Sequence, residues 1–569
     1  MKHKIDDHTK PIIVLILATL AIIVYMLSIR AAYTVFQNTK LADPLASISS
    51  LFPAYYIAVA LMAGAIFACI IYRIRSRGVH FFLLIAFATM LWFTPYYLAG
   101  FVYQPDGPWH VGAALQIPGA LSGDSLWYSQ TYPGSYIFHY AFINITGMEP
   151  LLYISKFFPF VRLCLFILLA YVFISSMFGS QVAFLSSALI IPGLHYTQLH
   201  PSPASIGLIL VFTVLTLFMK TGMASRVLTF LLILTVVATH PVSPLSLLIF
   251  LGAAFVTSFL KKLGRRQIIL AAMIIICLAG WFFWPIFTLT ATEKNLASAI
   301  TETGEEVVSD INRLDLSTTR RYLLSSPFLY SDIYNLNKAI YLIYLLLATV
   351  LILYIVIPGY LRRRSFKRWI SGLGGLSYNQ IFLAVSLPIF LLLTFLLAEQ
   401  THDLIERGLT YIILVLSGLI ASILLNLLSK PWVKNAVPVL LLFLTMSFPL
   451  VSYSIDAYTS FPQSEKAGLE FLSAGRLDEN KIIVGNNMSQ LLLYGEHMQI
   501  RSGRVNEVKV READIIALRN TGYYYTSLRF DFSFHNSFTR LREQINTGAK
   551  FNKIYKNPTF ELYEKNISH

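Results

Sequence analysis

Charged side chains are scarce in this sequence. Asp, Glu, Lys and Arg make up 13% of its 569 residues, whereas hydrophobic residues make up 56%. A soluble domain usually carries about 25% charged residues, so this scarcity excludes an ordinary soluble chain. The sequence instead contains a series of apolar runs that approach or reach the ~20 residues needed to cross a bilayer. The composition therefore predicts a polytopic membrane protein.

Cysteines and the signatures of soluble enzymes are also sparse. The three cysteines, Cys69, Cys164 and Cys277, all lie inside apolar runs. This placement excludes a disulfide framework in the polar parts and is typical of buried small side chains. The sequence has no Walker A, HExxH, paired CxxC or GxSxG pattern. The familiar motif-based nucleotide, zinc and serine chemistries are therefore not indicated.

The apolar runs, divided by length, predict about thirteen transmembrane helices. The first run has basic flanks but is too long for the core of a signal peptide, and it is interpreted as a retained anchor. The predicted spans lie near residues 11–29, 54–72, 80–98, 160–177, 181–194, 204–219, 227–239, 243–260, 267–289, 338–357, 380–398, 408–428 and 435–453.

Positive charge is concentrated in alternate connections, as expected if these lie on one side of the membrane. The connection 99–135 has neither Lys nor Arg. Because basic loops stay in the cytoplasm, the N-terminus is predicted inside and the tail from about residue 455 outside. Topology thus explains the net charge of +15, and no nucleic-acid partner is indicated. Alternate connections are basic and together hold 16 Lys and Arg residues: RIRSRG (73–78), KTGMASR (220–226), KKLGRR (261–266), RRRSFKR (362–368) and SKPWVK (429–434).

This orientation gathers many polar residues on the outer face. Several short connections that converge on one face are predicted to form the rim of an outward-facing cavity. The alternative for each histidine is a hydrogen-bonded residue at the membrane interface. The residues concerned are Asp106, His110, Asp124, His139, His195, His200, His240, Glu399, His402, Asp403 and Arg407.

The first outer connection, 99–159, contains two segments too short to span the membrane. PWHVGAALQIPGAL and SYIFHYAFINITG each predict a short helix along the membrane surface. Asp106 stands just before Pro108, which the first turn of a helix tolerates, so Asp106 is either an N-cap or a reactive group. His110 follows on the same helix face. A second long outer connection, 290–337, is interpreted as a functional cover or a mobile segment.

The composition changes at about residue 455. KIIVGN and ADIIALR predict short strands, KIYKNPTFELYE predicts a hairpin with KNPT as its turn, and EKAGLEFLSAG, MSQLLLYGE and FTRLREQINTG predict helices. The predicted fold class is therefore mainly α. It comprises a transmembrane domain over 1–454 with about thirteen helices, and a small extracytoplasmic α/β domain over 455–569.

The chain resembles the GT-C superfamily of integral-membrane glycosyltransferases, especially its protein O-mannosyltransferase and aminoarabinose transferase branch. In outline the likeness covers the whole chain, with its spans, its large first outer loop and its outer C-terminal domain. The WWDYG motif of the oligosaccharyltransferase branch is absent, which argues against N-glycan transfer. Locally the resemblance rests on Asp106 in PDGPWH, YPGSYIFHYAFINITG (132–147), THP (239–241) and HDLIERGLTY (402–411).

The resemblance implies transfer of a sugar from a polyprenyl- or dolichyl-phosphate carrier to a protein, lipid or glycan acceptor on the outer face. Because a lipid phosphate is a good leaving group, one carboxylate can suffice as general base on the acceptor hydroxyl. Asp106 is the catalytic candidate, with His110 beside it. The phosphate needs cationic donors near the interface, for which the candidates are Arg407, Arg162, Lys156, His240 and His402.

The remaining candidates line the predicted substrate cavity. They are Tyr132, His195, His200, Glu399 and Asp403. The alternative for the cationic candidates is a snorkelling anchor at the membrane interface.

Other classes of protein stay open at this stage. The nearest is a polymerase or ligase that uses a pyrophosphate-linked lipid. A lipid or sugar transporter would carry ionisable groups near mid-membrane, and the span centres have none. No cofactor is certain, although a zinc or manganese site is an alternative use of the outer histidines. Those histidines are His110, His195, His200, His240 and His402.

Overall fold

The structure is a computed structural model of the 569-residue chain, and not every residue is described by it. The described residues are 9–38, 51–98, 102–103, 106–115, 132–194, 199–220, 222–240, 242–290, 346, 378–397, 402–428, 430–452, 460–461, 482–485, 499–502, 515–519, 551–556 and 560–565.

Helices dominate the described residues, and their bounds follow the apolar runs. In chain order they are α1 (Thr9–Asn38), α2 (Pro53–Ile71), α3 (Arg77–Ala88), α4 (Thr94–Leu98), α5 (Asp106–Leu115), α6 (Pro133–Thr146), α7 (Pro150–Leu152), α8 (Phe158–Phe178), α9 (Ser180–Gly193), α10 (Pro203–Phe218), α11 (Met223–Thr239), α12 (Val242–Leu260), α13 (Gly264–Thr290), α14 (Tyr378–Leu397), α15 (His402–Leu427) and α16 (Pro431–Ser452).

The described helices make the chain a polytopic membrane protein. Every predicted span except 338–357 coincides with a helix. That span lies outside the described residues apart from Leu346, so the count of thirteen stays a prediction. Among the described residues, seven helical segments are long and apolar enough to cross a membrane: Thr9–Phe36, Pro53–Ile71, Arg77–Leu98, Pro150–Phe178, Val242–Leu260, Arg266–Trp284 and Thr410–Leu427.

Local sequence signals set where helices begin and end. Proline occupies the first turn of α2, α6, α7 and α10, where its missing N–H removes no helical hydrogen bond. Ser202 caps α10 by accepting from the Ser205 N–H at 3.2 Å. The carboxylate of Glu149 caps α7 in the same way. Gly147 ends α6 with φ +64°, the left-handed conformation that favours glycine.

Two five-residue π-helical turns lie near the two ends of the first outer connection, one before it and one inside it. Thr89–Phe93 joins α3 to α4, and Tyr153–Phe157 joins α7 to α8. In the first turn, the carbonyl of Met90 accepts hydrogen bonds from the side chains of Tyr55 (2.9 Å) and Thr94 (2.6 Å). Polar groups of a membrane span must be satisfied within the protein, and these side chains do so at a point where the regular ladder is interrupted. Such turns often mark functional sites.

The two short helices of the first outer connection pack onto the ends of longer helices through glycines. A Cβ on Gly107 in α5 would lie 3.1 Å from Ile154 Cγ2 and 3.3 Å from Pro201 Cδ. A Cβ on Gly134 in α6 would lie 2.8 Å from Thr239 Oγ1. At Gly134 something must shift to admit a Cβ, whereas at Gly107 the neighbours would have to give by a few tenths of an ångström. Both glycines are therefore favoured by close packing rather than by backbone conformation. The YPG and THP segments therefore meet at the junction of α6 with α11.

The C-terminal region contributes a five-stranded sheet with the order β4-β3-β5-β7-β6. Its strands are β3 (Ile482–Gly485), β4 (Gln499–Ser502), β5 (Ile515–Arg519), β6 (Phe551–Lys556) and β7 (Phe560–Lys565). β3 is parallel to β4 and β5, whereas β7 is antiparallel to β5 and β6. The predicted strands and hairpin are present, and β4 is an additional strand. The three helices predicted there lie outside the described residues, so the α/β domain stays a prediction.

A two-stranded antiparallel ribbon ties the first outer connection to the C-terminal region. Its strands are β1 (Val102–Tyr103) and β2 (Ser460–Phe461), with Val102 opposite Phe461. This ribbon lies three residues before Asp106 along the chain. The C-terminal region and the start of α5 are consequently joined at one end of the helical bundle.

The predicted orientation can be tested with a topology reporter. A reporter fused after His569 is expected to read as extracytoplasmic, because 16 positive residues lie on the opposite set of connections. A reporter inserted after Gly222, in a basic connection, serves as the control and should read as cytoplasmic. A cytoplasmic signal from the C-terminal fusion would mean that the span count is wrong by an odd number.

Candidate active site

The start of α5 lies between the second π-helical turn and the connection that precedes α10. Asp106 opens this helix. A Cβ built on Gly107 beside it would lie 3.6 Å from the Cβ of His200, and nearer still to Ile154 and Pro201. His110 follows one turn later on the same helix face. Its Nδ1 lies 3.0 Å from the hydroxyl of the buried Tyr136. Parts of the first outer connection and of the connection before α10 therefore meet at Gly107 in the first turn of α5.

A second histidine–tyrosine pair lies deeper in the same region. His139 in α6 is fully buried, and its Nδ1 lies 2.7 Å from the hydroxyl of Tyr153. Burial, reinforced by the charge of the buried His200, lowers the pKa of His139 to about 3. The imidazole of His139 is therefore neutral at neutral pH. Tyr132 at the start of α6 is also buried, which raises the pKa of its phenol to about 12.

A pocket opens between α10, α12 and α15, beside the THP segment. The cavity itself measures about 20 Å³, room for about one water molecule. His240 in this pocket accepts at Nδ1 from the Val242 N–H at 3.3 Å and lies 3.1 Å from the Ser243 hydroxyl. This pattern assigns the ring proton to Nε2, since a neutral imidazole has one donor and one acceptor. The polar lining consists of His240, Ser243, Ser246, Thr410 and Tyr411.

A buried arginine lies beside the pocket. Arg162, near the start of α8, is only 1% exposed, and its guanidinium carbon lies 5.0 Å from the ring centroid of Phe166. The phenols of Tyr96 and Tyr411 interact with it electrostatically, and Tyr411 also lines the pocket. In the described part of the chain, Nε and Nη2 of Arg162 have no hydrogen-bond partner. These two nitrogens lie on one edge of the guanidinium group, and a carboxylate or phosphate can accept two parallel hydrogen bonds from them.

The residues predicted from HDLIERGLTY fall on α15. His402, Asp403 and Arg407 belong to the first turns of this helix. Arg407 precedes Thr410 and Tyr411 by three and four positions, which places all three on one helix face. Arg407 is therefore on the helix face that reaches the pocket one turn later.

Lys156 occupies a different position from the other cationic candidates. Its Nζ donates to the carbonyl of Tyr96 at 2.6 Å and lies 5.7 Å from the ring centroid of Tyr97. This bond satisfies a carbonyl in the last turn of α4, which has no partner inside the helix. Lys156 thus joins the third predicted span to the fourth through this bond. Its use as a phosphate ligand or as an interface anchor stays a prediction.

Two predicted cavity residues, His195 and Glu399, lie outside the described residues. Among the described residues, no group of three or more His, Cys, Asp or Glu side chains could hold a metal ion. Cys69 and Cys277 are buried and Cys164 is half-buried, as expected for small apolar side chains. Sequence reasoning missed the pocket residues Ser243 and Tyr411. The serine could have been noticed three positions after His240, and the tyrosine ends the HDLIERGLTY segment without having been chosen as a candidate.

These features define a polytopic helical membrane protein with a polar and cationic site at one end of its bundle. No protein-family model matches the chain, and no curated protein matches it. Solved structures that are similar to it include the following three.

The crystal structure of ArnT from Cupriavidus metallidurans bound to undecaprenyl phosphate shares 10% identity at a TM-score of 0.48, over 86% of this chain and 98% of that one. The apo ArnT crystal structure from the same organism shares 9% identity at a TM-score of 0.44, over 85% and 97%. The Archaeoglobus fulgidus oligosaccharyltransferase in complex with Zn and sulfate shares 12% identity at 0.44, over 82% and 69%. At these identities and TM-scores the likeness is distant.

Proposed function

We propose that this protein transfers a sugar from a polyprenyl- or dolichyl-phosphate carrier to an acceptor hydroxyl at the outer membrane face. The observation that carries the proposal is the buried edge of Arg162, with two donors unpartnered in the described part of the chain. A buried guanidinium without an anion is costly in a membrane protein. A lipid phosphate that enters the pocket lined by Tyr411 is proposed to supply that anion.

The chemistry requires one base and a cationic site for the leaving group. Asp106 accepts the proton of the acceptor hydroxyl, the acceptor oxygen forms a bond to the anomeric carbon, and the bond from that carbon to the phosphate oxygen breaks. The electron pair of the broken bond stays on the lipid phosphate. No strong general acid is needed, in contrast to glycosidases, which must protonate an alkoxide.

The remaining candidate residues divide between the two halves of this reaction. His110, held by Tyr136, lies on the Asp106 face of α5 and orients the acceptor side. His240, His402, Arg162 and Arg407 serve the phosphate. Tyr132, His195, His200, Glu399 and Asp403 are proposed to line the cavity that holds the substrates. Lys156, bound to the Tyr96 carbonyl, holds the spans together instead of contacting the phosphate.

Incubation of the purified protein with a panel of lipid-phosphate sugars tests the proposal. The expected result is release of free lipid phosphate, detected by mass spectrometry, together with a glycosylated acceptor or, without an acceptor, a slow hydrolysis product. Release of lipid pyrophosphate from pyrophosphate-linked donors would identify the polymerase or ligase alternative. Uptake of sugar or lipid into vesicles without covalent change would identify a transporter.

Arg407 should contribute to carrier binding in a way that lysine cannot reproduce. Arg407→Ala is expected to weaken both the binding of undecaprenyl phosphate and the rate of transfer. Arg407→Lys should restore them only in part, because lysine lacks the planar fork that binds phosphate through two parallel bonds. Binding of the carrier to each detergent-solubilised variant provides the measurement.

Lys430 supplies a matched control for Arg407. It lies just beyond the other end of α15 and is exposed, so Lys430→Ala removes a positive charge near the same helix but away from the pocket. It should leave binding unchanged. Wild-type carrier affinity in Arg407→Ala would remove Arg407 from the site.

A further inference from the structure

The buried face of α6 carries polar atoms that the reaction scheme leaves unused. Ser135, Tyr136 and His139 lie on this face and are all fully buried. The hydroxyl of Tyr136 is bonded to His110. Ser135 Oγ and His139 Nε2, by contrast, make no hydrogen bond to any residue that the structure describes. Because Ser135 and His139 are four positions apart, they are neighbours on the helix surface.

Two unpartnered polar atoms on one buried helix face point to a ligand. Buried polar groups in native proteins are nearly always hydrogen-bonded, and leaving one without a partner costs about as much as losing a hydrogen bond. Other buried serines of the bundle also lack partners, including Ser186 and Ser187 in α9. The α6 pair differs from them because the helix lies within the candidate active site.

The position of α6 connects this pair to both halves of the site. At its start, Gly134 lies against Ala238 and Thr239, and the next residue is the pocket histidine His240. Deeper in α6, His139 is bonded to Tyr153. The residue after Tyr153, Ile154, contacts the start of α5 at Gly107. The α6 face therefore lies between the pocket proposed for the phosphate and the helix that begins with Asp106.

The chemistry of the pair selects a neutral hydroxyl over an anion. Burial and His200 lower the pKa of His139 to about 3, so this imidazole carries no charge at neutral pH. A neutral imidazole nitrogen and a serine hydroxyl together can donate and accept. A sugar hydroxyl does both as well, whereas a phosphate only accepts and is better matched by Arg162.

We propose that Ser135 Oγ and His139 Nε2 form the sugar-binding part of the site and hydrogen-bond one hydroxyl group of the transferred sugar. This inference rests on the proposed function, since it assigns the moiety that lies between the carrier phosphate and the acceptor. The two residues are specificity determinants for the donor. They neither move a proton in the reaction nor contact the lipid phosphate.

Donor binding by Ser135→Ala and His139→Phe tests the inference without requiring turnover. The measurement compares the Kd of undecaprenyl phosphate with that of undecaprenyl-phosphate sugars, including a series in which one hydroxyl at a time is replaced by hydrogen. Wild-type protein should bind a hydroxylated donor more tightly than the bare carrier. Each substitution should weaken binding of that donor roughly 3- to 10-fold, the usual worth of one hydrogen bond, and leave the Kd of bare carrier unchanged.

The deoxy series identifies the bonded hydroxyl. One deoxy donor should bind wild-type protein more weakly than the parent donor binds Ser135→Ala, because that donor loses the bonds to both residues. Neither Ser135→Ala nor His139→Phe should weaken the binding of that donor further, as a double-mutant cycle requires. Ser187→Ala provides the matched control, because its hydroxyl is equally buried and unpartnered in the described residues but belongs to α9. It should leave every Kd at the wild-type value.

Three results would overturn the inference, and they are distinguishable from failure of the proposed function. If wild-type protein binds bare carrier and sugar-bearing carrier equally, the sugar makes no such contact, although the carrier site survives. If Ser135→Ala weakens all donors equally, or the bare carrier too, the α6 face holds ordered water or has a structural role. If wild-type protein binds no lipid phosphate at all, the proposed function is wrong, and this inference, which rests on it, is wrong as well.

Discussion

Asp106→Asn is expected to lower the rate of sugar transfer by roughly 10²- to 10⁴-fold, the usual contribution of a positioned general base. Asparagine keeps the size of the side chain and caps a helix about as well as aspartate does. The start of α5 should therefore be preserved, with Gly107 still against Ile154 and Pro201. The substitution removes only the group that accepts the proton of the acceptor hydroxyl. The measurement is the transfer rate at matched expression and thermal stability.

Glu149→Gln is the matched control for this experiment. Glu149 lies in the same outer connection, and its carboxylate accepts from the N–H groups of Leu151 at 3.3 Å and Leu152 at 2.9 Å. Its role is therefore helix capping, and glutamine can still accept one such bond. Transfer by Glu149→Gln should remain near the wild-type rate. An unimpaired rate in Asp106→Asn would reduce Asp106 to a cap as well and make Asp403 or Asp124 the next carboxylates to test.

The membrane itself explains why hydropathy predicts the helices well. Backbone polar groups inside a bilayer must form hydrogen bonds within their own segment. A sufficiently long apolar run is therefore expected to form a helix. The short helices α5 and α6 were equally predictable, because proline and glycine mark their ends. The hairpin of Phe551–Lys556 and Phe560–Lys565 could be predicted from its alternating apolar and polar residues and from its turn residues.

The interruptions of the helices could not be predicted in the same way. The π-helical turn at Thr89–Phe93 depends on Tyr55, which approaches the Met90 carbonyl from another helix. Likewise, the contact of Gly134 with Thr239 joins residues about a hundred positions apart. Such contacts are set by tertiary packing, which leaves no local pattern in one sequence.

Part of the candidate site could be predicted from residue type and from position relative to the membrane. Arg162 and His240 stood out because charged or titratable side chains near the end of a span are unusual. That both residues are connected to Tyr411 could not be predicted, because the pocket is built from three helices far apart in the chain. The pairing of His139 with Tyr153 was hidden for the same reason, although His139 itself was placed on the outer face.

Arg162→Met is expected to change stability and carrier binding in opposite directions. In the carrier-free protein, Arg162 is a buried cation that stacks on Phe166 and has two donors unpartnered in the described residues. Replacing a poorly compensated buried charge with an apolar side chain of similar length is often neutral or stabilising by 1–4 kcal/mol. The thermal stability of the carrier-free variant should therefore match or exceed that of the wild type.

Binding should respond in the other direction. If the Nε and Nη2 edge of Arg162 pairs with the carrier phosphate, truncating it removes one partner of a buried charge pair, which typically costs about 2–5 kcal/mol. The affinity for undecaprenyl phosphate should then fall roughly 30- to 5,000-fold. Saturating carrier should stabilise the wild-type protein by about 2.7 kcal/mol at a hundredfold excess over Kd, and should stabilise Arg162→Met by about 0.9 kcal/mol or less at the same concentration.

Arg266→Met separates this effect from the general loss of a packed arginine. Arg266 also stacks on aromatic rings, 4.2 Å from the Tyr378 centroid and 5.0 Å from that of Phe218, but it lies in a basic connection predicted to face the cytoplasm. Its substitution should lower stability through lost stacking and leave carrier affinity unchanged. If Arg162→Met destabilises the carrier-free protein and still binds the carrier normally, Arg162 is held by packing alone, and the anion site must be sought around Arg407.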